Sequence, residues 1–114
     1  MGIEVRRKGK VDIIDCKGTL TIGSADVELR DEFKRLIESG DRMFILNMRG
    51  VSYMDSAGLG ETAACCLRAA EVDGTIKLVV EPGGKVAQIL RITRLDRAFE
   101  IFHDEEEALA SFIR

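Results

Sequence analysis

Apolar and polar positions along this chain fall into short runs whose spacing switches between strand-like alternation and helix-like recurrence. Residues 3–7 and 11–16 read as two short strands, and the glycine of Lys8-Gly9-Lys10 suits a hairpin between them. Val11, Ile13 and Ile14 require at least one buried face, which leaves Asp12 and Asp15 to solvent or to a sheet edge. Residues 18–23, rich in Gly and Thr, form a turn-rich connector, and Ser24 stands where a helix N-cap belongs. Leu29, Phe33, Leu36 and Ile37 then share one face at helical spacing. Asp26 and Glu28 lie near the positive end of that helix dipole, and Ser39-Gly40 supplies the stop.

Residues 43–48 are apolar except for Asn47, the pattern of a central strand covered on both faces, where a buried amide needs partners. The stretch from Val51 to Met54 either prolongs that strand or forms a separate turn. A second helix begins near Ser56, with Leu59, Ala63, Cys66, Leu67 and Ala70 as its core-facing stripe and Glu61 and Arg68 off it. Asp73-Gly74 ends it. Residues 76–80 form the next buried strand, and Glu81-Pro82-Gly83-Gly84 breaks the chain. A third helix carries Val86, Ile89, Leu90 and Thr93 on one side, with Pro82 at or just before its first turn. Residues 98–102 make a last edge strand, and Asp104 with Glu107 fits a capping pattern before Ala108, Leu109, Phe112 and Ile113. The order β-β-α-β-α-β-α-β-α predicts one α/β domain over residues 1–114, with a largely parallel or mixed central sheet of four to five strands and about four helices.

Composition narrows the function. With 114 residues, 46% of them hydrophobic, the chain has enough for one core without staples. A net charge of −3, spread along the chain, offers neither a basic patch for nucleic acid nor a polybasic membrane anchor. No apolar run approaches the roughly 20 residues of a membrane span. The start turns charged before a signal-peptide core could form, and Arg6 stands where a myristoylation motif after Gly2 wants Ser or Thr. A soluble cytoplasmic protein is expected. Cys16, Cys65 and Cys66 lack the spacing of a metal site, and the sole histidine, His103, is distant and reads as a surface residue. The thiols are expected to pack, and no metal or other cofactor is called for.

Residues 53–60, Tyr-Met-Asp-Ser-Ala-Gly-Leu-Gly, organise the rest. They sit between the end of a strand and the start of a helix, where α/β proteins place their chemistry. Ser56 is expected at the N-cap or in the first turn, its hydroxyl near unpaired backbone N–H groups. Gly58 and Gly60 either leave room for an approaching protein or relieve crowding between helix and sheet. The eight residues contain no Lys, Arg or His to serve as a base, so the hydroxyl reads as a target rather than a catalyst.

Asp55-Ser56-Ala57-Gly58-Leu59-Gly60 after an apolar strand resembles the signature of STAS domains, the family of the bacterial anti-sigma factor antagonists. The step from Gly18 to Thr21, the strand from Ile45 to Met48, the lead-in from Gly50, and residues 90–96 and 105–109 resemble the family in order and spacing. The resemblance implies a STAS-like sheet whose first strand is antiparallel to its neighbour, with helices mainly on one face. It also implies phosphorylation of Ser56 by a serine kinase that doubles as the anti-sigma factor, and reversal by a PP2C-like phosphatase. Thr19, Thr21, Ser24, Asp55, Ser56, Ala57, Gly58, Leu59, Gly60 and Glu61 would form the partner-binding surface. Asp55 is equally readable as a turn residue bonding its own loop.

Two positions depart from the family. Thr21 stands where an aspartate usually helps contact the kinase, and Glu61 where an apolar residue is common; an acid there would repel a phosphate on Ser56. STAS-like scaffolds and transporter-associated subunits without a phosphorylation switch are the alternative role. A rival reading takes Gly58-Leu-Gly60-Glu-Thr-Ala63 as a dinucleotide fingerprint with Glu81 as ribose ligand. No second βαβαβ half follows it, and Asp55 would face the pyrophosphate.

Overall fold

The computed structural model describes residues 2–113. In chain order the elements are β1 (Gly2–Lys8), β2 (Val11–Leu20), α1 (Ala25–Glu38), β3 (Met43–Met54), α2 (Ser56–Glu71), β4 (Thr75–Val79), α3 (Lys85–Ile92), β5 (Ile101–Phe102) and α4 (Glu105–Ser111). A 3-10 turn over Leu95–Arg97 links α3 to β5. Among these residues the sheet has five strands in the order β1-β2-β3-β4-β5. The β1–β2 pair is antiparallel and each later pair parallel, so the sheet is mixed.

Alternation along the central strands explains how the helices are shared out. Ile14, Phe44, Leu46, Met48 and Leu78 point to one face, where they pack with Leu29 and Phe33 of α1, Cys65 of α2 and Leu90 of α3. Val11, Ile13, Ile45 and Val79 point to the other and meet Ala108 of α4. Three helices thus cover one face and a single short helix part of the other. No helix among the described residues is long and apolar enough to cross a membrane.

Polar groups on the α4 face are paired. Arg6 holds Asp15 and Glu105, each at 2.6 Å, and Asn47 Nδ2 donates to the same Glu105 at 3.0 Å. That supplies the partner the Asn47 amide required. Lys77, 6% exposed, lies 4.3 Å from the Phe112 ring centroid and donates to Ser111 Oγ. Asp104 caps α4 through Glu106 N–H at 3.1 Å, and Ile113 remains exposed rather than joining the apolar side of α4.

Three expectations need correction. The connector proposed for residues 18–23 is strand as far as Leu20, because Leu20 is fully buried and stays paired with Met54 through two register shifts in β2. The last strand is only two residues long. The α2 stripe is also rotated. Gly58, Glu61, Thr62, Cys65 and Ala69 face inward, while Leu67 is 65% exposed and Ala70 is exposed. The inward face is small, which lets the helix lie close to the sheet. Its one carboxylate is neutralised, for Glu61 pairs with Arg68 at 2.5 Å and with Arg30 of α1 at 3.7 Å. The Thr62 hydroxyl donates to the Gly58 carbonyl.

Asp12 is the fourth correction. It lies 2% exposed rather than turned to solvent, and its Oδ2 has no partner. Burial, and then neighbouring Asp41, push its carboxyl up from the ordinary 3.8 to about 6, against the pull of Arg7, which bridges both acids. An acid with a raised pKa in the folded chain binds its proton more tightly there, so Asp12 costs stability as pH rises from about 4 to about 6. Asp12→Asn is therefore expected to gain on the wild type over that interval and to hold its advantage above it. Thermal melts at pH 4.5 and 7.5 check this; an advantage that shrinks with rising pH contradicts it.

Candidate functional site

Residues 53–60 form the hinge between the end of β3 and the start of α2, level with the end of β2. Asp55 leaves the strand with extended backbone (φ −96°, ψ −172°) and is itself the N-cap of α2. Its Oδ1 accepts from Gly58 N–H at 2.9 Å and its Oδ2 from Ile22 N–H at 3.0 Å. Its own N–H donates to the Leu20 carbonyl at 3.3 Å. The Ile22 N–H first, and the Gly58 N–H next, hold the Asp55 carboxyl below the usual carboxylate range.

Of the two places expected for Ser56, the N-cap or the first turn, it takes the second: Asp55 is the cap, and Ser56 is the first helical residue, exposed. The two glycines do different work. A Cβ on Gly58 would lie 2.1 Å from the Leu20 carbonyl oxygen, so this glycine sets how closely α2 meets β2. A Cβ on Gly60 would meet nothing within 4 Å. Gly60→Ala is expected to stabilise the fold by about 1 kcal/mol through helix propensity alone. A urea midpoint below the wild type's would show that Gly60 serves the fold in some other way.

Thr19 and Ser24 are exposed, Thr21, Asp55, Ala57 and Leu59 are partly exposed, and Gly58 is buried. Ser24 stands at the N-cap of α1, but its side chain makes no capping bond. Glu61 is 7% exposed and tied to two arginines, so its carboxylate lies beneath the surface formed by the others. Two residues lie within the stretches 18–23 and 53–60 but were not singled out as site residues, Ile22 (76% exposed) and Tyr53 (49% exposed). Tyr53 is the register partner of Thr19 across β2 and β3. The available signal was a lone large apolar residue set between Thr21 and Gly23 in a turn.

The dinucleotide reading does not fit this geometry. The Gly58 N–H that a pyrophosphate would use is taken by Asp55, and Glu81 pairs with Arg49 of β3. The thiols are packed groups: burial pushes Cys16 up to about 12 and Cys66 to about 11, and Cys65 rises for the same reason.

The family model for the STAS domain matches residues 2–108. Among solved structures, the chain is similar to TM1081 of Thermotoga maritima, described as a proposed anti-sigma factor antagonist. The identity is 25%, with 98% of this chain and 95% of that one covered, at a TM-score of 0.89. An anti-sigma factor antagonist from Mycobacterium paratuberculosis shares the fold at 17% identity, with 96% and 92% covered and a TM-score of 0.82. The Bacillus cell fate determinant SpoIIAA, in its phosphorylated form, shares it at 22% identity, with 99% and 100% covered and a TM-score of 0.74.

Proposed function

The chain belongs to the STAS domain family, and on that premise we propose that it is an anti-sigma factor antagonist switched by phosphorylation of Ser56. Unmodified, it docks an anti-sigma factor serine kinase on Thr19, Thr21, Ser24 and the segment from Asp55 to Gly60, and so frees a sigma factor. The kinase transfers phosphate from its own ATP to Ser56, and the complex separates. A PP2C-like phosphatase restores the unmodified chain. The nucleotide and its metal belong to those partners, and this chain acts as a binding module rather than a catalyst. Glu61 contributes from below, by fixing α2 against α1.

One observation carries the reading: Ser56 is exposed at the start of a long helix whose cap is already supplied by the preceding residue. Its hydroxyl is not needed as the cap. A phosphate there would sit at the favourable end of the helix dipole, so modification is compatible with the fold. It would add roughly −1.5 to −2 charges to a surface that contains no Lys, Arg or His over residues 53–60. A partner fitted to the neutral hydroxyl loses its contact through repulsion and desolvation.

The test is direct. The chain is incubated with ATP and each purified anti-sigma kinase of the source cell, and phosphate is located by mass spectrometry. A single phosphate on Ser56 is expected. Phosphate on Thr19, Thr21 or Ser24 instead, or none with any of the kinases, overturns the proposal.

A further inference from the structure

We propose that Asp55 is a positioning residue for docking, and that through it Ile22 is held beside Ser56 as the apolar anchor the kinase buries. This deepens the reading above and rests on it.

Ile22 is one of several exposed large apolar residues, with Leu67, Ile92 and Ile113, and what sets it apart is its backbone tie to the turn that carries Ser56. Its side chain is 76% exposed, although Leu20 and Ala25 on either side of the loop are buried in the core. The loop reverses through Gly23 in the left-handed region (φ +117°), which fixes where Ile22 stands out from it. Its N–H does not turn to solvent but donates to Asp55 Oδ2, a residue 33 positions later and next to Ser56. The other oxygen of that carboxylate caps α2, and the Asp55 N–H returns to Leu20. One side chain therefore joins the β2–α1 loop to the phosphoacceptor turn. The close approach of Gly58 to the Leu20 carbonyl makes the joint stiff.

Ile22 offers one large aliphatic group beside the acceptor turn, and its loop neighbours Thr21, Gly23 and Ser24 are partly or fully exposed, the pairing of an apolar anchor with a polar surround that interfaces use. An anchor already held in place avoids most of the ordering cost of binding. The occupant is a kinase surface with an apolar pocket beside its active site. Because Ile22 and Ser56 flank the same carboxylate, filling that pocket also presents the hydroxyl, and a phosphate there must be desolvated against it.

The experiment uses a kinase shown to modify Ser56, and compares wild type, Ile22→Ser, Asp55→Ala and the double variant. Thermal melting is the folding control. Ile22→Ser is expected to raise both Kd and KM at least tenfold, with kcat within twofold and an unchanged melting temperature. Asp55→Ala should raise KM in the same way, and the double variant should be less than threefold worse than the weaker single one, because Asp55 acts through Ile22. If Asp55→Ala does not fold, Ile22→Ser decides alone. Binding by Ile22→Ser within twofold of wild type overturns the inference while leaving the proposed switch standing. Full additivity, a loss confined to kcat, or a wild-type dimer that Ile22→Ser dissociates also overturns it. Absence of phosphate on Ser56 in the wild type brings down the proposed function itself.

Discussion

Ser56→Asp is expected to weaken the proposed complex with an anti-sigma kinase about 100-fold, a loss of about 2.7 kcal/mol, while leaving the fold as stable as before or slightly more so. The two effects have opposite signs because they arise from different neighbours. Within the chain, a carboxylate in the first turn of α2 meets the positive end of a 16-residue helix, where an acid contributes about 0.3–1 kcal/mol. Across the proposed interface, the same charge would replace a neutral hydroxyl, and like-charge contact or desolvation there would cost several kcal/mol. Ser56→Ala separates the hydroxyl's role as acceptor from its role as contact. It should bind close to wild type, accept no phosphate, and persist in the complex when ATP is added. Isothermal titration with the kinase, with and without ATP, reads all three states. Equal affinity of Ser56→Asp and wild type would remove the electrostatic release.

Gly58→Ala should do the larger damage to the fold. The added methyl would stand 2.1 Å from the Leu20 carbonyl oxygen and 2.9 Å from the Leu20 carbonyl carbon and Cγ. The first two of those atoms are backbone in a paired strand, so no rotamer change relieves the overlap. Either α2 lifts off the sheet or the end of β2 moves. Forcing extra bulk into such a contact costs about 3 kcal/mol. For a domain of this size that lowers the melting temperature by roughly 10–20 °C. Movement of α2 would also pull Asp55 away from the Ile22 N–H, so kinase affinity should fall with stability. A melting temperature within about 3 °C of wild type would show that the helix and strand adjust freely.

The contrast with Gly60 shows what the sequence could and could not disclose. Both glycines lie in one hexapeptide with the same local pattern, yet one touches the Leu20 backbone and the other open space. Local periodicity carries no information about which face of α2 is inward, because that depends on β2, some 40 residues earlier. The stripe through Leu59, Ala63, Cys66, Leu67 and Ala70 was the reasonable choice by hydrophobicity, and it put Leu67 in the core. The actual inward face contains Glu61, which is admissible only because Arg30 arrives from α1 to join Arg68. Likewise Asp12 reads as a surface acid until Arg7 and Asp41 are seen around it. Elements whose pattern is self-contained were legible: α1 with its Leu29, Phe33 and Leu36 face, the apolar run of β3, and the β1–β2 hairpin. The strand-to-helix turn over residues 53–60 was legible, and of the two places open to Ser56, N-cap or first turn, the structure takes the second, with Asp55 as the cap. Asp55 and Ser56 are both good capping residues, and only the strand geometry before them decides which one turns inward.

The sheet's two rims have a bearing on solubility. An outer strand with free backbone donors and acceptors is a template on which another chain can continue the sheet. Here β1, on one side, carries Glu4, Arg6, Arg7 and Lys8, and an incoming strand would have to accommodate those charges. On the opposite side β5 is two residues long, too short to offer more than a bond or two. Neither rim favours edge-to-edge aggregation, so self-pairing through the sheet would compete little with the partner contacts proposed for the Ser56 turn.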